Sequence, residues 1–123
     1  MPKRVLDIGQ CSFDHGAIRR LLDREFSADV ARADGLDDAM VQLRSKPFDL
    51  VLINRKLDAD DSDGIDVLHA IQADRALAAV PIMLVTNYPE HQAAAIAAGA
   101  VPGFGKADLE TPATREKLAR FLG

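Results

Sequence analysis

The sequence has few of the features that mark secreted or membrane-bound proteins. Its one cysteine, Cys11, has no partner in the chain for a disulfide. No apolar run approaches the roughly 18 residues that a membrane span requires. The segment after Met1 has only a few apolar residues before Asp7, which argues against a signal peptide. These absences predict a protein of the reducing cytoplasm that has no membrane as a partner.

Basic clusters and ligand-binding motifs are also scarce. The chain has 15 Lys and Arg against 19 Asp and Glu, a net charge of −4, and its cations are not grouped densely enough to attract nucleic acid. Neither of the glycine-rich motifs that cradle nucleotide phosphates follows a candidate strand. We therefore expect no nucleic-acid partner, no cofactor and no metal site.

The composition is that of one folded domain. The chain has 123 residues, of which 48% are hydrophobic and 28% charged, and this length suits one hydrophobic core. No linker or internal repeat interrupts it, so residues 1–123 are predicted to form a single domain.

Apolar residues recur in two alternating patterns. The continuous runs Leu50–Ile53 and Ile82–Val85 are typical of strands buried on both faces of a parallel sheet. Weaker strand candidates are Arg4–Ile8, Ala28–Ala33 and Val101–Lys106. The stretches between and after them have helical spacing. Five β-α repeats of this kind predict an α/β fold, a doubly wound parallel sheet with helices on both faces.

Capping residues predict where several helices begin and end. Asp63 and Thr111 are expected to cap the third and fifth helices. Asn87, with Glu90 three residues later, is expected to cap the fourth helix, and Gly99 to close it in a left-handed conformation.

In doubly wound sheets, binding sites lie at the carboxyl ends of the strands. Three stretches that end there carry a family resemblance, namely Asp49–Asn54, Pro81–Thr86 and Ala98–Lys106. In this order and spacing they resemble the receiver domains of bacterial response regulators, and the match covers essentially the whole chain. The resemblance implies the five-stranded receiver topology, with the flavodoxin-like strand order 2-1-3-4-5.

The resemblance also shows departures at the positions that carry the family's chemistry. In receivers an Asp at the end of the third strand accepts a phosphoryl group, and an acidic pair after the first strand helps to hold Mg²⁺. By position, Asn54 stands at the acceptor site, and Gly9 and Gln10 stand at the acidic pair. The resemblance therefore implies a degenerate member that lacks the phosphoacceptor.

The remaining family positions are divided between retained and lost residues. Thr86 and Lys106 match the Thr and Lys that contact the phosphoryl group. The aromatic residue that switches rotamer in the family lies three positions before the Lys, where this chain has Gly103, with Phe104 next to it. The aromatic switch is therefore predicted to be missing as well.

Phosphoryl transfer to a receiver needs an ionised carboxylate as the nucleophile, and Mg²⁺ prefers carboxylate and water oxygens. The neutral Asn54 predicts that the chain is not an enzyme and acts as a phosphorylation-independent protein-interaction module of a two-component or phosphorelay system. The implied docking face is helix 4, strand 5 and helix 5. There Gln92–Ala98 offers mostly methyl groups, which also favours self-association into a homodimer.

Two alternatives stay open. A displaced carboxylate such as Asp58, in the acidic loop Asp58–Gly64, is a candidate surrogate acceptor, although a flexible loop holds a nucleophile poorly. The loop does not fit a calcium-binding EF-hand, because Ala59 and Ala70 stand at its first and last ligand positions. The second alternative is a small-ligand-binding domain of flavodoxin-like fold.

Three local expectations concern the pocket itself. Without the acidic pair, Lys106 is expected either to bond the side-chain oxygen of Asn54 or to point into solvent. His15 is expected to be exposed in the first turn of helix 1, and Cys11 to be a small, partly buried residue beside the pocket.

Overall fold

A computed structural model of the chain describes residues 2–123. Within this range five strands alternate with five α-helices. The strands are β1 (Arg4–Ile8), β2 (Asp29–Ala33), β3 (Leu50–Asn54), β4 (Ile82–Val85) and β5 (Val101–Phe104). The helices are α1 (Ser12–Phe26), α2 (Leu36–Ser45), α3 (Gly64–Ala73), α4 (Pro89–Ala97) and α5 (Pro112–Leu122), with a short 3-10 helix, η1 (Lys106–Asp108), before α5.

All strand pairs are parallel, and the order in the sheet is β2-β1-β3-β4-β5. This confirms the doubly wound sheet and its predicted order. The register pairs Ile8 with Ile53 and Asn54 with Val85, so the central strands end at nearly the same level. The loops after β1, β3 and β4 therefore meet at one edge of the sheet.

Each face of the sheet is covered by its own core. Leu6, Ile8 and Ile53 belong to a buried cluster with apolar residues of α2, α3 and α4. Leu52 and Val85 belong to the opposite cluster, together with apolar residues of α1 and α5. Because the strands alternate between two dry cores, both of their faces are apolar, and this explains the continuous apolar runs in the sequence.

The capping predictions are confirmed at most helix ends. The side chain of Asp63 accepts a hydrogen bond from the Ile65 amide at the start of α3, and that of Thr111 accepts from the Thr114 amide. Gly99 follows α4 with a φ of 110°, in the left-handed region that favours glycine.

The cap predicted for α4 is wrong. Tyr88 is the N-cap residue of α4, and it makes no side-chain capping bond. The Asn87 side chain instead accepts a hydrogen bond from the Ala107 amide at 3.0 Å, so it ties the β4–α4 loop to η1. The last strand also ends earlier than predicted, since η1 begins at Lys106.

Within residues 2–123, no helix combines the length and the apolar character that crossing a membrane would need.

Candidate functional site at the carboxyl edge of the sheet

Asn54 is the last residue of β3 and lines a small pocket of about 190 Å³ at the carboxyl edge of the sheet. The pocket also involves Thr86 and Lys106, so the fold brings these three predicted residues together. The side-chain amide of Asn54 donates to the backbone oxygen of Gly9 at 3.2 Å. Asn54 therefore uses its NH₂ group to join the ends of β3 and β1.

Gly9 is the first residue of the turn after β1. Its φ of 80° is left-handed, a conformation that residues with a Cβ adopt only at a cost in free energy. A Cβ on Gly9 would lie 2.3 Å from Cδ2 of Leu57 and 3.2 Å from its Cα. Because Leu57 is buried against this turn, the position has no room for an acidic side chain in the present backbone.

Lys106 adopts neither of its two predicted arrangements, a bond to the side-chain oxygen of Asn54 or a side chain pointing into solvent. Its ammonium group lies 2.8 Å from Oδ2 of Asp14, in the first turn of α1. The expectation that Lys106 lacks an acidic partner is wrong, because α1 supplies a carboxylate that the strand ends do not. This hydrogen bond from Lys106 is the main reason why the pKa of Asp14 lies below its usual value.

Cys11 lies beside this ion pair. It is partly buried, as predicted, and its thiol donates to Oδ2 of Asp14 at 3.3 Å. It is also the N-cap residue of α1, where its sulfur accepts from the Asp14 amide. The start of α1 is thus connected through Asp14 to the start of η1.

Thr86 is buried at the end of β4, and its hydroxyl lies 3.3 Å from Nδ1 of His91. The other ring nitrogen, Nε2, accepts from Nε of Arg55 at 3.1 Å. Because a guanidinium can only donate, Nε2 is the unprotonated nitrogen and Nδ1 carries the proton that Thr86 accepts. His91 of α4 therefore joins the residue after β3 to the residue after β4.

The prediction that His15 is exposed is wrong. Its Nδ1 lies 2.8 Å from Oδ2 of Asp7, and its side chain is only 14% exposed. Asp7 is a strand residue with no exposed surface, and it lies on the face of β1 that α1 covers. The Asp7 carboxylate, bonded to the His15 imidazole, is therefore buried just before Gly9 and Gln10, the positions matched to the acidic pair.

Burial raises the pKa of Asp7 to about 6, and the His15 hydrogen bond and charge oppose that rise only in part. Gln10 is also buried. Among the described residues, no hydrogen-bond partner of good geometry reaches Oδ1 of Asp7 or either polar atom of the Gln10 side chain. Buried polar groups without hydrogen-bond partners lower the free energy of unfolding, so these side chains cost the fold stability.

Gly103 lies in β5 and is buried. A Cβ there would be 2.3 Å from the backbone oxygen of Leu84, so the structure has no space for the aromatic residue of the family at this position. Phe104, its neighbour, is 3% exposed and packs in the core beneath α1 and α5. Phe104 is thus a core residue and does not replace the aromatic side chain on the surface.

The acidic loop after β3 makes several backbone hydrogen bonds of its own. Lys56 and Asp63 form an antiparallel bridge, and the Leu57 amide bonds the Ser62 oxygen at 2.9 Å. Asp58 is exposed, and its backbone amide donates to the oxygen of Gly9 at 2.9 Å. The loop is therefore held on the Gly9 turn by its backbone, while the Asp58 carboxylate faces solvent.

The residues at this edge do not fit Mg²⁺. Gly9 and Asn54 supply no carboxylate, and the amide of Asn54 presents hydrogens to the Gly9 oxygen. The carboxylate of Asp14, in the first turn of α1, is paired with Lys106. In addition, no three His, Cys, Asp or Glu side chains within residues 2–123 are grouped to hold a metal ion. A hard cation would lack the oxygen ligands that it requires.

The model of the response regulator receiver domain family matches residues 14–107 of this chain. The match spans most of the sequence, and the sheet order and helix placement agree with it. The chain belongs to the response regulator receiver domain family, and it is a receiver domain of two-component signalling.

Solved structures show the same fold. The signal receiver domain of a DNA-binding response regulator from Colwellia psychrerythraea 34H has a TM-score of 0.80 at 21% identity, over 96% of each chain. The BeF3-activated N-terminal receiver domain of RstA from Klebsiella pneumoniae gives 0.77 at 19% identity, over 98% of this chain and 97% of that one. The chemotaxis protein CheY4 of Vibrio cholerae gives 0.73 at 18% identity, over 98% and 95%.

Sequence reasoning missed four residues that shape the site. Asp7 could have been found, because a charge inside a strand otherwise flanked by apolar residues calls for a buried partner. His15 follows from it, since it lies on the helix that covers that face. Asp14 and His91 gave no comparable signal, because polar residues in the first turn of a helix are common.

Folding raises the pKa of Asp7, so the folded protein binds this proton more tightly than the unfolded chain. The stabilisation from Asp7 is complete below the unfolded pKa, near pH 4, and is lost as the pH rises through about 6. We expect the free energy of unfolding to fall by about 2 to 3 kcal/mol from this source between pH 4 and pH 7.5, at roughly 1.4 kcal/mol per pKa unit. Urea unfolding across this range measures it.

The variant Asp7→Asn should lose this pH-dependent fall, because its amide oxygen still accepts from His15 but does not ionise. Asp23→Asn, an exposed carboxylate on α1, is the matched control and should follow the unaltered protein. Parallel pH profiles for the unaltered protein and Asp7→Asn would show that Asp7 does not titrate as described.

The Gly9 turn yields a second prediction. Gly9→Ala should lower the free energy of unfolding by about 1 to 3 kcal/mol, because it combines a left-handed residue with a contact against Leu57. Gly9→Asp should be at least as destabilised. Gly16→Ala, within α1, is the control and should be neutral or stabilising, since alanine favours helices. Equal unfolding midpoints for Gly9→Ala and the unaltered protein would contradict the strained turn.

Proposed function

We propose that this chain is an atypical receiver domain that works as a phosphorylation-independent protein-interaction module in a two-component or phosphorelay system, with no catalysis of its own. The observation that carries the proposal is the Asn54–Gly9 hydrogen bond. At the position matched to the acceptor, a neutral amide is occupied in closing the sheet edge, and it provides no nucleophile.

The surroundings of Asn54 support the same function. The turn at Gly9 has no space for an acidic side chain, and Lys106 is neutralised by Asp14. Thr86 shares its hydroxyl with His91. Asn54, Lys106 and Thr86 thus each have a bonding partner within the protein, which supports a structural role for these residues.

We place the docking face on α4, β5 and α5. A groove of about 600 Å³ runs between these elements, and its lining includes Ala93, Ile96, Gly103 and Ala113. Ile96 is 45% exposed, and the small side chains around it allow close approach of a partner. The groove therefore suits an apolar protein surface, including a second copy of this chain.

The test is exposure of the chain to acetyl phosphate and Mg²⁺, followed by intact-mass measurement. The unaltered protein should show no gain of a phosphoryl group, while a receiver domain that has its complete set of acids serves as the positive control. Stoichiometric labelling of the unaltered chain would overturn the proposal. If Asp58→Asn then abolished that labelling, the surrogate acceptor would be the correct function.

A ligand-binding domain of the same fold predicts a different result. A flavin or another coloured ligand would copurify with the protein and give an absorbance band above the protein's own absorption. The interaction module predicts a colourless protein, so one spectrum separates the two functions.

A further inference from the structure

The edge between β4 and β5 is irregular. Met83 pairs with Val101 and Val85 pairs with Phe104, so one residue of β4 lies opposite two residues of β5. Such a bulge interrupts the ladder of backbone hydrogen bonds. One of these two β5 residues is Pro102, which has no amide hydrogen to donate. The pairing of β4 with β5 therefore needs a substitute for its missing bonds.

The side chain of Gln92, from α4, supplies this substitute. Its Nε2 donates to the Leu84 oxygen at 2.9 Å and lies 3.3 Å from the Thr86 oxygen. Its Oε1 accepts from the Gly103 amide at 3.0 Å. Because that amide can only donate, the orientation of the Gln92 amide group is fixed. One side chain thus connects both strands to the helix.

A glycine at position 103 leaves room for the Gln92 side chain and for the close approach of the Leu84 oxygen. Besides its 2.3 Å approach to the Leu84 oxygen, a Cβ on Gly103 would lie 3.1 Å from Oε1 of Gln92. The Gly103 oxygen accepts from Nζ of Lys117, in α5, at 2.9 Å. Both backbone polar groups of Gly103 are therefore bonded by side chains of the two flanking helices.

We propose that Gln92 is a positioning residue that locks α4 onto the β4–β5 edge and thereby holds the α4–β5–α5 face in one conformation. A shift of α4 would break the bonds to Leu84 and Gly103 together and leave buried backbone groups without partners, which is costly. The bonds of the lock go to backbone groups of Leu84, Thr86 and Gly103 and are present while Asn54 is bonded to Gly9, so the face is held without an event in the Asn54 pocket.

This inference rests on the proposed function in one respect, because it concerns the face assigned to docking. The sequence placed Gln92 on that face among methyl groups, and the structure turns its amide inward to the strands. The lock supplies what a phosphorylation-independent module requires, a surface that is already in its binding conformation and loses little entropy on binding.

Amide hydrogen exchange and ¹⁵N relaxation dispersion test the lock in the full chain without a partner. In Gln92→Leu, the Gly103 amide should exchange at least about tenfold faster than in the unaltered protein, since its acceptor is lost. Dispersion on the microsecond to millisecond timescale should appear at Leu84 and Thr86. The Leu6 amide, in the central strand β1, should keep its protection and so report that the fold is intact.

Two further variants complete the experiment. Gln92→Glu keeps an acceptor for the Gly103 amide but removes the donor to Leu84, so it should show the dispersion with a smaller loss of Gly103 protection. It also replaces Gln92→Leu if that variant does not fold. Glu90→Ala, an exposed residue of the same helix, is the control and should match the unaltered protein.

Gly103 exchange in Gln92→Leu within twofold of the unaltered rate would overturn the lock. Equal dispersion in the unaltered protein and the variant would overturn it as well. These outcomes leave the phosphodonor result unaffected, and labelling of the unaltered chain would defeat the proposed function without changing the exchange rates. The two proposals therefore fail separately.

Discussion

The burial of β1, β3 and β4 between two apolar cores is the constraint on which the rest of this structure depends. Residues Leu6 and Leu52 have no exposed surface, so polar groups are excluded from nearly the whole sheet. The polar residues of the candidate site therefore lie at the edge where the strands end. Asp7 is the exception, and it is retained through a bond to His15 that brings α1 onto the same strand.

At that edge, the side chains that would otherwise serve a ligand have bonding partners elsewhere in the protein. Asn54 joins β3 to the turn after β1, His91 joins Thr86 to the residue after β3, and Asp14 neutralises Lys106. Hydrogen bonds of this kind each contribute modestly to stability. Together they link the loops at this edge in pairs, and the Gln92 contacts link α4 to β4 and β5.

The fold could be predicted from the sequence because it depends on local patterns. The apolar runs at Leu50–Ile53 and Ile82–Val85 and the capping residues Asp63 and Thr111 act within a few positions of the chain. The positions of Asn54, Thr86 and Lys106 followed from the same strand ends. Asn54 and Thr86 were found where the pattern placed them, and Lys106, although it begins η1 and not the end of β5, lines the same pocket.

The partners of those residues could not be predicted in the same way. Lys106 lies far from Asp14 in the sequence, and Gln92 bonds a bulge whose existence depends on how β4 and β5 align in space. The need for glycine at position 9 was likewise hidden, because Leu57, from another loop, lies where a Cβ would be. Such contacts are decided by tertiary packing, which single positions do not encode.

The central claim is that Asn54, Gly9 and Lys106 do not form a phosphoryl site. Its most direct test is an NMR titration of the unaltered chain with Mg²⁺ and beryllofluoride, a mimic of the phosphoryl group. If Asn54, Gly9 and Lys106 are committed to structural bonds, the amide signals of Asn54, Thr86 and Lys106 should stay in place beyond the effect of added salt. Saturable shifts at those three amides, spreading into α4 and β5, would show a working phosphoryl site and contradict this account.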